Sequence, residues 1–309
     1  MNPLNRLHWF VLVLFIPVWT RAQVTDRKVD VVYKLSEATG EYLFKASNPN
    51  LCEYTVQVDV VDVVGMRSSV KLPYVGSVKP GETTLFSLKP TKMGEAASFR
   101  YLYTATRGRL FQAEPPTYLY TLPVAPGQPV LVQETQAMGK VLGVKNVRLT
   151  NYTSLVFQVK NGDTVFAARR GVVINRLDGW AATARDDVRE SNLVEISHAD
   201  GTFAQYARLK AGSLLVKLGE TVEVGQPLGL VGELPGLPPT IHFSVRYLPP
   251  VEVQPSKEYK YIHLRPKFSA LTIESGDYLI SGRTYEATRP VELITQEMSK
   301  REIKRYLKQ

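Results

Sequence analysis

The stretch that most constrains this chain runs from residue 192 to 246. Three short apolar runs, residues 193–196, 202–209 and 241–245, alternate there with Gly201, Gly219, Gly225, Gly229, Gly232 and Gly236. Period-two runs broken by glycine are the pattern of short antiparallel strands, not of helices. One histidine, His242, stands inside the last run between Ile241 and Phe243.

The rest of the chain fits an all-β reading. Candidate strands at 29–35, 42–47, 54–64, 68–74, 83–88 and 99–106 are separated by turn residues such as Thr39-Gly40, Asn48-Pro49-Asn50 and Lys79-Pro80-Gly81. Short strands at this spacing predict an immunoglobulin-like β-sandwich. Pro115, Pro116, Pro123, Pro126 and Pro129 then mark a stiff linker. Residues 295–309 are helical by pattern. Ile294, Met298, Ile303 and Leu307 lie near one face, and Lys300, Arg301, Lys304, Arg305 and Lys308 crowd the remainder. Such a helix either docks its apolar stripe on the body or lies on an anionic membrane surface.

The N-terminus reads as a secretory signal over residues 1–22. Arg6 supplies the positive region, and residues 9–19 form an apolar run too short to span a bilayer. Cleavage after Ala22 would lower the net charge from +9 to +7 by removing Arg6 and Arg21. The expected layout is a signal peptide at 1–22, a β-sandwich at 23–111, the linker at 112–129, a second β domain at 130–290 and a basic helical tail at 291–309. Cys52 is the single cysteine, so no internal disulfide exists, and a small buried residue is expected. Residues 257–267 mix Tyr259, Tyr261 and His263 with basic side chains. In an exported protein that pattern predicts a solvated strand rim and no nucleic-acid partner.

The glycine and valine spacing resembles a known family when taken as a set. The residues concerned are His198, Asp200 and Gly201, then Tyr206 and Leu209, then Val222, Gly225, Gly229 and Gly232, then His242 to Val245. Gly162, Ala167 and Gly171 precede them. They resemble the sheet core of the lysostaphin-like (LytM-type) zinc endopeptidases, which cut peptide bridges in bacterial peptidoglycan. The resemblance covers about 155–246. It implies a zinc held by a His and an Asp of an upstream HxxxD-like element and by the second His of an HxH strand. A further His in a Tyr-x-His-Leu strand would assist catalysis. In this chain Val156 stands at the aspartate's place, Thr240 at the first His of HxH, and Arg208 at the His of Tyr-x-His-Leu. His242 alone remains at a ligand position.

A catalytic zinc needs three protein ligands and an open site for water. The resemblance therefore implies the scaffold without its metal: no catalytic residues, no metal and no cofactor. The expected protein is exported to the periplasm or extracellular envelope of a bacterium. It would bind peptidoglycan, or regulate a cell-wall hydrolase, through a groove lined by Tyr206, Arg208, Thr240 and His242. The tail would add a weak membrane-surface contact. The alternative is an active zinc metalloendopeptidase with an atypical ligand set. Asp186 and Asp187 either join His198 and His242 in an improvised metal site or belong to a solvated charge run, and His198 reads as a hydrogen-bonded histidine at a strand end that does not bind the metal.

Overall fold

The computed structural model describes residues 26–92, 96–111, 113–136, 153–179, 191–233, 236–250 and 259–308. The expected signal and the pair Asp186 and Asp187 lie outside them. No described helix is long and apolar enough to cross a membrane. The architecture is all-β and almost wholly antiparallel, with two short helices at the C-terminal end among the described residues.

The first seven strands are β1 (Asp30–Ser36), β2 (Glu41–Asn48), β3 (Tyr54–Val64), β4 (Met66–Ser68), β5 (Tyr74–Val78), β6 (Gly81–Pro90) and β7 (Ser98–Arg107). They form one sheet in the order β1-β2-β6-β4 and another in the order β5-β3-β7. The two sheets share one core. Phe44 stacks on Phe86 at 4.5 Å and meets Tyr101 of the opposite sheet edge-on at 5.2 Å. Val56, Val58, Val78 and Leu88 fill the space between them, fully buried. The strand expected at 68–74 is absent, because Pro73 lacks the N–H that a ladder needs. Pairing resumes only at Tyr74. Cys52 is buried in this core, and burial pushes its thiol up to about 12, which keeps it protonated.

The larger sheet collects β9 (Pro129–Gln136), β10 (Thr153–Gln158), β12 (Gly171–Leu177), β13 (Asn192–Ser197), β14 (Phe203–Leu209), β15 (Thr221–Val222), β17 (Thr240–Tyr247), β18 (Ile262–Leu264) and β21 (Arg283–Glu286). Its path is β15-β12-β13-β14-β17-β10-β9-β21, with β18 beside β17. The short strands β11 (Thr164–Phe166) and β16 (Pro227–Leu230) pair with each other. β8 (Leu119–Thr121) runs parallel to β19 (Lys267–Ala270), which turns into β20 (Ile273–Asp277). The proline-dense stretch is not solvated along its length: Tyr120, Leu122 and Val124 are buried in the larger core.

Alternation decides what each face of the large sheet carries. Leu155, Phe157, Val194, Ile196, Ala204, Tyr206, Ile241, Phe243 and Val245 point into the larger core. The intervening residues form the outer face. At one end of that face Ile174 and Phe203 join the sandwich core instead. Buried Glu195 accepts from Arg107 of β7 (2.7 Å) and from Arg246 of β17, and Arg246 lies over the Tyr261 ring at 4.6 Å. Tyr259 donates to Gln57 at 2.9 Å and Tyr261 to the Arg107 carbonyl at 2.6 Å. These tyrosines tie the sandwich to the sheet, which corrects the expectation of a solvated rim.

The tail is two helices rather than the one expected from 295: α1 (Val291–Thr295) and α2 (Lys300–Tyr306). Ser299 starts the second. Its hydroxyl accepts from the Glu302 N–H, and the Glu302 carboxylate accepts from the Ser299 N–H, a reciprocal cap that stops one helix from running through.

Candidate ligand groove

The register brings three of the expected positions, Thr240, His242 and Arg208, together on the outer face beside Val156. In β17, Thr240 and His242 alternate with the core residues Ile241 and Phe243. His242 is flanked by Val156 of β10 and by Ala207 of β14. Arg208 reaches the same place through a backbone irregularity. Asn192 pairs with Leu209 and Leu193 pairs with Ala207, so Arg208 is an extra residue with no partner in the ladder. Its φ of 69° lies in the left-handed region that side chains other than glycine rarely enter. Strict alternation would have put Arg208 beside Tyr206 in the core. The bulge turns it outward, and its Nη1 donates to the Thr240 hydroxyl at 2.7 Å.

The electrostatics of this cluster are unusual. The Arg208 guanidinium is half-buried and forms no ion pair among the described residues; its Nε is buried without a hydrogen-bond partner. Burial alone pushes its pKa down. His242 is pushed down to about 3, first by burial and second by the Arg208 charge. The imidazole is therefore neutral at ordinary pH, next to a cation that has no ion-pair partner among the described residues.

Tyr206 does not belong to the cluster. It is fully buried, packs on Phe243 at 5.0 Å between ring centroids, and accepts the Ala168 N–H at 2.8 Å. Burial raises its pKa. The expectation that it lines the groove is corrected by the bulge: Tyr206 and Arg208 sit on opposite faces of the sheet although they are two residues apart.

Zinc does not fit these residues. Val156 has no lone pair, Thr240 already accepts from Arg208, and the guanidinium repels a cation. That leaves one imidazole where three ligands are needed. Among the described residues no group of three His, Cys, Asp or Glu side chains is placed to hold a metal. Nor can His198 join His242. Leu193 is level with His242 across the Ala207 pair. His198 lies five residues further along, roughly 16 Å at the usual strand rise.

His198 instead closes a buried polar cluster that the sequence reading missed. Its Nδ1 donates to the Arg170 carbonyl at 2.7 Å, and its ring lies edge-on to Tyr120 at 5.6 Å. Burial, and then the Arg169 charge, push it down to about 3. Arg169 is 1 % exposed and pairs with Asp200 at 2.8 Å and with Glu297 at 2.6 Å. Its guanidinium also lies 4.0 Å from the centre of the Tyr118 ring. The only hint in the sequence was the pair Arg169-Arg170 ahead of Gly171, because the partners lie 31 and 128 residues away.

Residues 150–255 match the family model described as peptidase family M23. No curated protein sequence matches the chain. Among solved structures, the catalytic domain of lysostaphin from Staphylococcus simulans is 23% identical with a TM-score of 0.24; the match covers 30% of this chain and 64% of that one. The catalytic domain of the prophage-encoded M23 protein EnpA from Enterococcus faecalis is 21% identical with a TM-score of 0.28, covering 45% and 93%. The deep-sea M23 metalloprotease pseudoalterin is 18% identical with a TM-score of 0.32, covering 57% and 98%. The chain thus spans less than two thirds of the length of the lysostaphin domain, and 38% of the longer lysostaphin structure. The match to the peptidase M23 family model covers about a third of the chain and includes the strands that carry Arg208, Thr240 and His242.

Proposed function

We propose that this is an exported cell-envelope protein whose M23-type domain binds peptidoglycan without cutting it. One observation carries the reading: Arg208 is half-buried, turned outward by a bulge, and unpaired among the described residues. A desolvated cation without an acid is costly to the fold, which is the usual cost of a binding residue. A guanidinium fork matches a carboxylate through two parallel hydrogen bonds. Stem peptides of peptidoglycan supply such carboxylates. Neutral His242 and the Thr240 hydroxyl flank the fork and suit peptide N–H and C=O groups. The domain layout set out from the sequence, with a sandwich before this domain and a short tail after it, is part of the proposal. So is regulation of a hydrolase by occupancy of the same groove.

The test is pelleting with isolated sacculi. Arg208→Ala should weaken binding by at least tenfold, because truncating one side of a buried charge pair typically costs about 2–5 kcal/mol. The variant should be no less stable than the parent, since it removes a half-buried charge that has no acidic partner among the described residues. A metal chelator should change neither binding nor stability. Equal pelleting of variant and parent overturns the role of Arg208. Release of peptide fragments, or loss of binding on chelation, would instead establish a metallopeptidase.

A further inference from the structure

The C-terminal helix α2 carries a one-sided basic face. Lys300, Arg301, Lys304, Arg305 and Lys308 are all exposed, and none forms an ion pair among the described residues. At about 100° per residue they fall within an arc of about 140°. Glu302, Ile303 and Tyr306 occupy the opposite side and are half-buried.

That opposite side is fastened down. Glu302 pairs with Arg170 at 2.6 Å, and Arg170 also donates to the Glu297 carbonyl at 3.3 Å. Just before the helix, Glu297 pairs with buried Arg169. Glu302 is the only acidic residue of α2, and Arg170 and the cap consume its charge. The basic face is therefore held in one orientation with nothing on the helix to neutralise it.

One more side chain indicates what meets this face. Leu307 is 64% exposed. On the helical wheel it lies at the edge of the basic arc, beside Lys300 and Lys304. A polyanion offers nothing to an exposed leucine. The boundary between headgroups and acyl chains does, and cations bordered by an apolar side chain are the pattern of helices lying in a membrane interface.

We propose that α2 is a docking face for an anionic phospholipid membrane and sets the orientation of the M23-type domain above it. It does not depend on the ligand of the Arg208 cluster, which lies on the large sheet.

Cosedimentation with vesicles tests it. The parent should bind phosphatidylcholine–phosphatidylglycerol vesicles at low salt, lose binding as salt rises, and ignore pure phosphatidylcholine. Each basic residue near an anionic surface contributes about fivefold. The quadruple variant Lys300→Gln, Arg301→Gln, Lys304→Gln, Arg305→Gln should therefore bind roughly 600-fold more weakly. Glutamine is a good helix former, and the pairs of Arg169 and Arg170 are untouched, so an unchanged thermal midpoint will show that the helix stays docked. Leu307→Ser should weaken vesicle binding severalfold and leave binding to long-chain inorganic polyphosphate unchanged. Equal vesicle binding by parent and quadruple variant overturns the proposal. So does a Leu307→Ser variant that binds vesicles like the parent, which would mark the face as a polyanion site.

Discussion

Replacing Arg169 with methionine is expected to destabilise the protein by about 3–5 kcal/mol, the usual cost of breaking a buried ion pair from one side. Methionine keeps most of the stem's volume, so the loss is electrostatic rather than a cavity. Two carboxylates are stranded. Asp200 retains the Thr202 N–H at 3.0 Å and hydroxyl at 2.7 Å. Glu297 loses both of its side-chain hydrogen bonds from Arg169, at 2.8 and 2.6 Å, in a site where its side chain is 7% exposed. The variant should therefore release the tail before it unfolds. Amides over 291–308 would exchange faster than those of β13 and β14, and the denaturant midpoint would fall. A change below about 1 kcal/mol would mean that the pairing only offsets the cost of burying the charges.

Acid should unfold the protein through two histidines. His198 and His242 both drop from 6.5 in the open chain to about 3 in the fold. Between those values the unfolded chain takes up protons that the folded one refuses. Stability is then full above pH 6.5 and falls as pH drops toward 3. At about 1.4 kcal/mol per unit, each histidine accounts for about 2 kcal/mol between pH 6.5 and 4.5. The expected result is a denaturant midpoint that declines steeply over that window. It should flatten by about half in His242→Gln, which cannot charge. Arg208→Ala should also raise the pKa of His242, followed by its ring proton shifts, because the guanidinium is the second cause of the depression. An imidazole that still titrates below 4 in that variant would assign the whole effect to burial.

The sheet around His242 was legible in the residues because both of its determinants are local. Period-two runs set the strands, and glycines such as Gly201 (φ 93°) and Gly225 (φ 80°) set the turns between them. The resemblance to peptidases of the lysostaphin type rested on that same spacing, and the family match over 150–255 agrees with it. Val156, Thr240 and Arg208 were aligned with the family's metal and catalytic positions one at a time. The register now sets Val156 directly across from His242, with Arg208 reaching Thr240. Tyr206 went wrong for a specific reason. A one-residue bulge changes the face of every side chain counted across it, and nothing in the string of letters marks where the ladder skips.

The sequence by itself determined the local facts: β-rich runs, the positions of the turns, one lone histidine at a metal position, and a cluster of cations near the C-terminus. These follow from backbone preference and periodicity, which act over a few residues. Only the tertiary structure decided which charges meet. Arg169 with Glu297, Arg107 with Glu195, and Arg208 with no acidic partner among the described residues depend on contacts between residues up to 128 positions apart. Ion pairs carry no period and no spacing rule, so their partners appear only once the core has brought distant strands and the tail to one place.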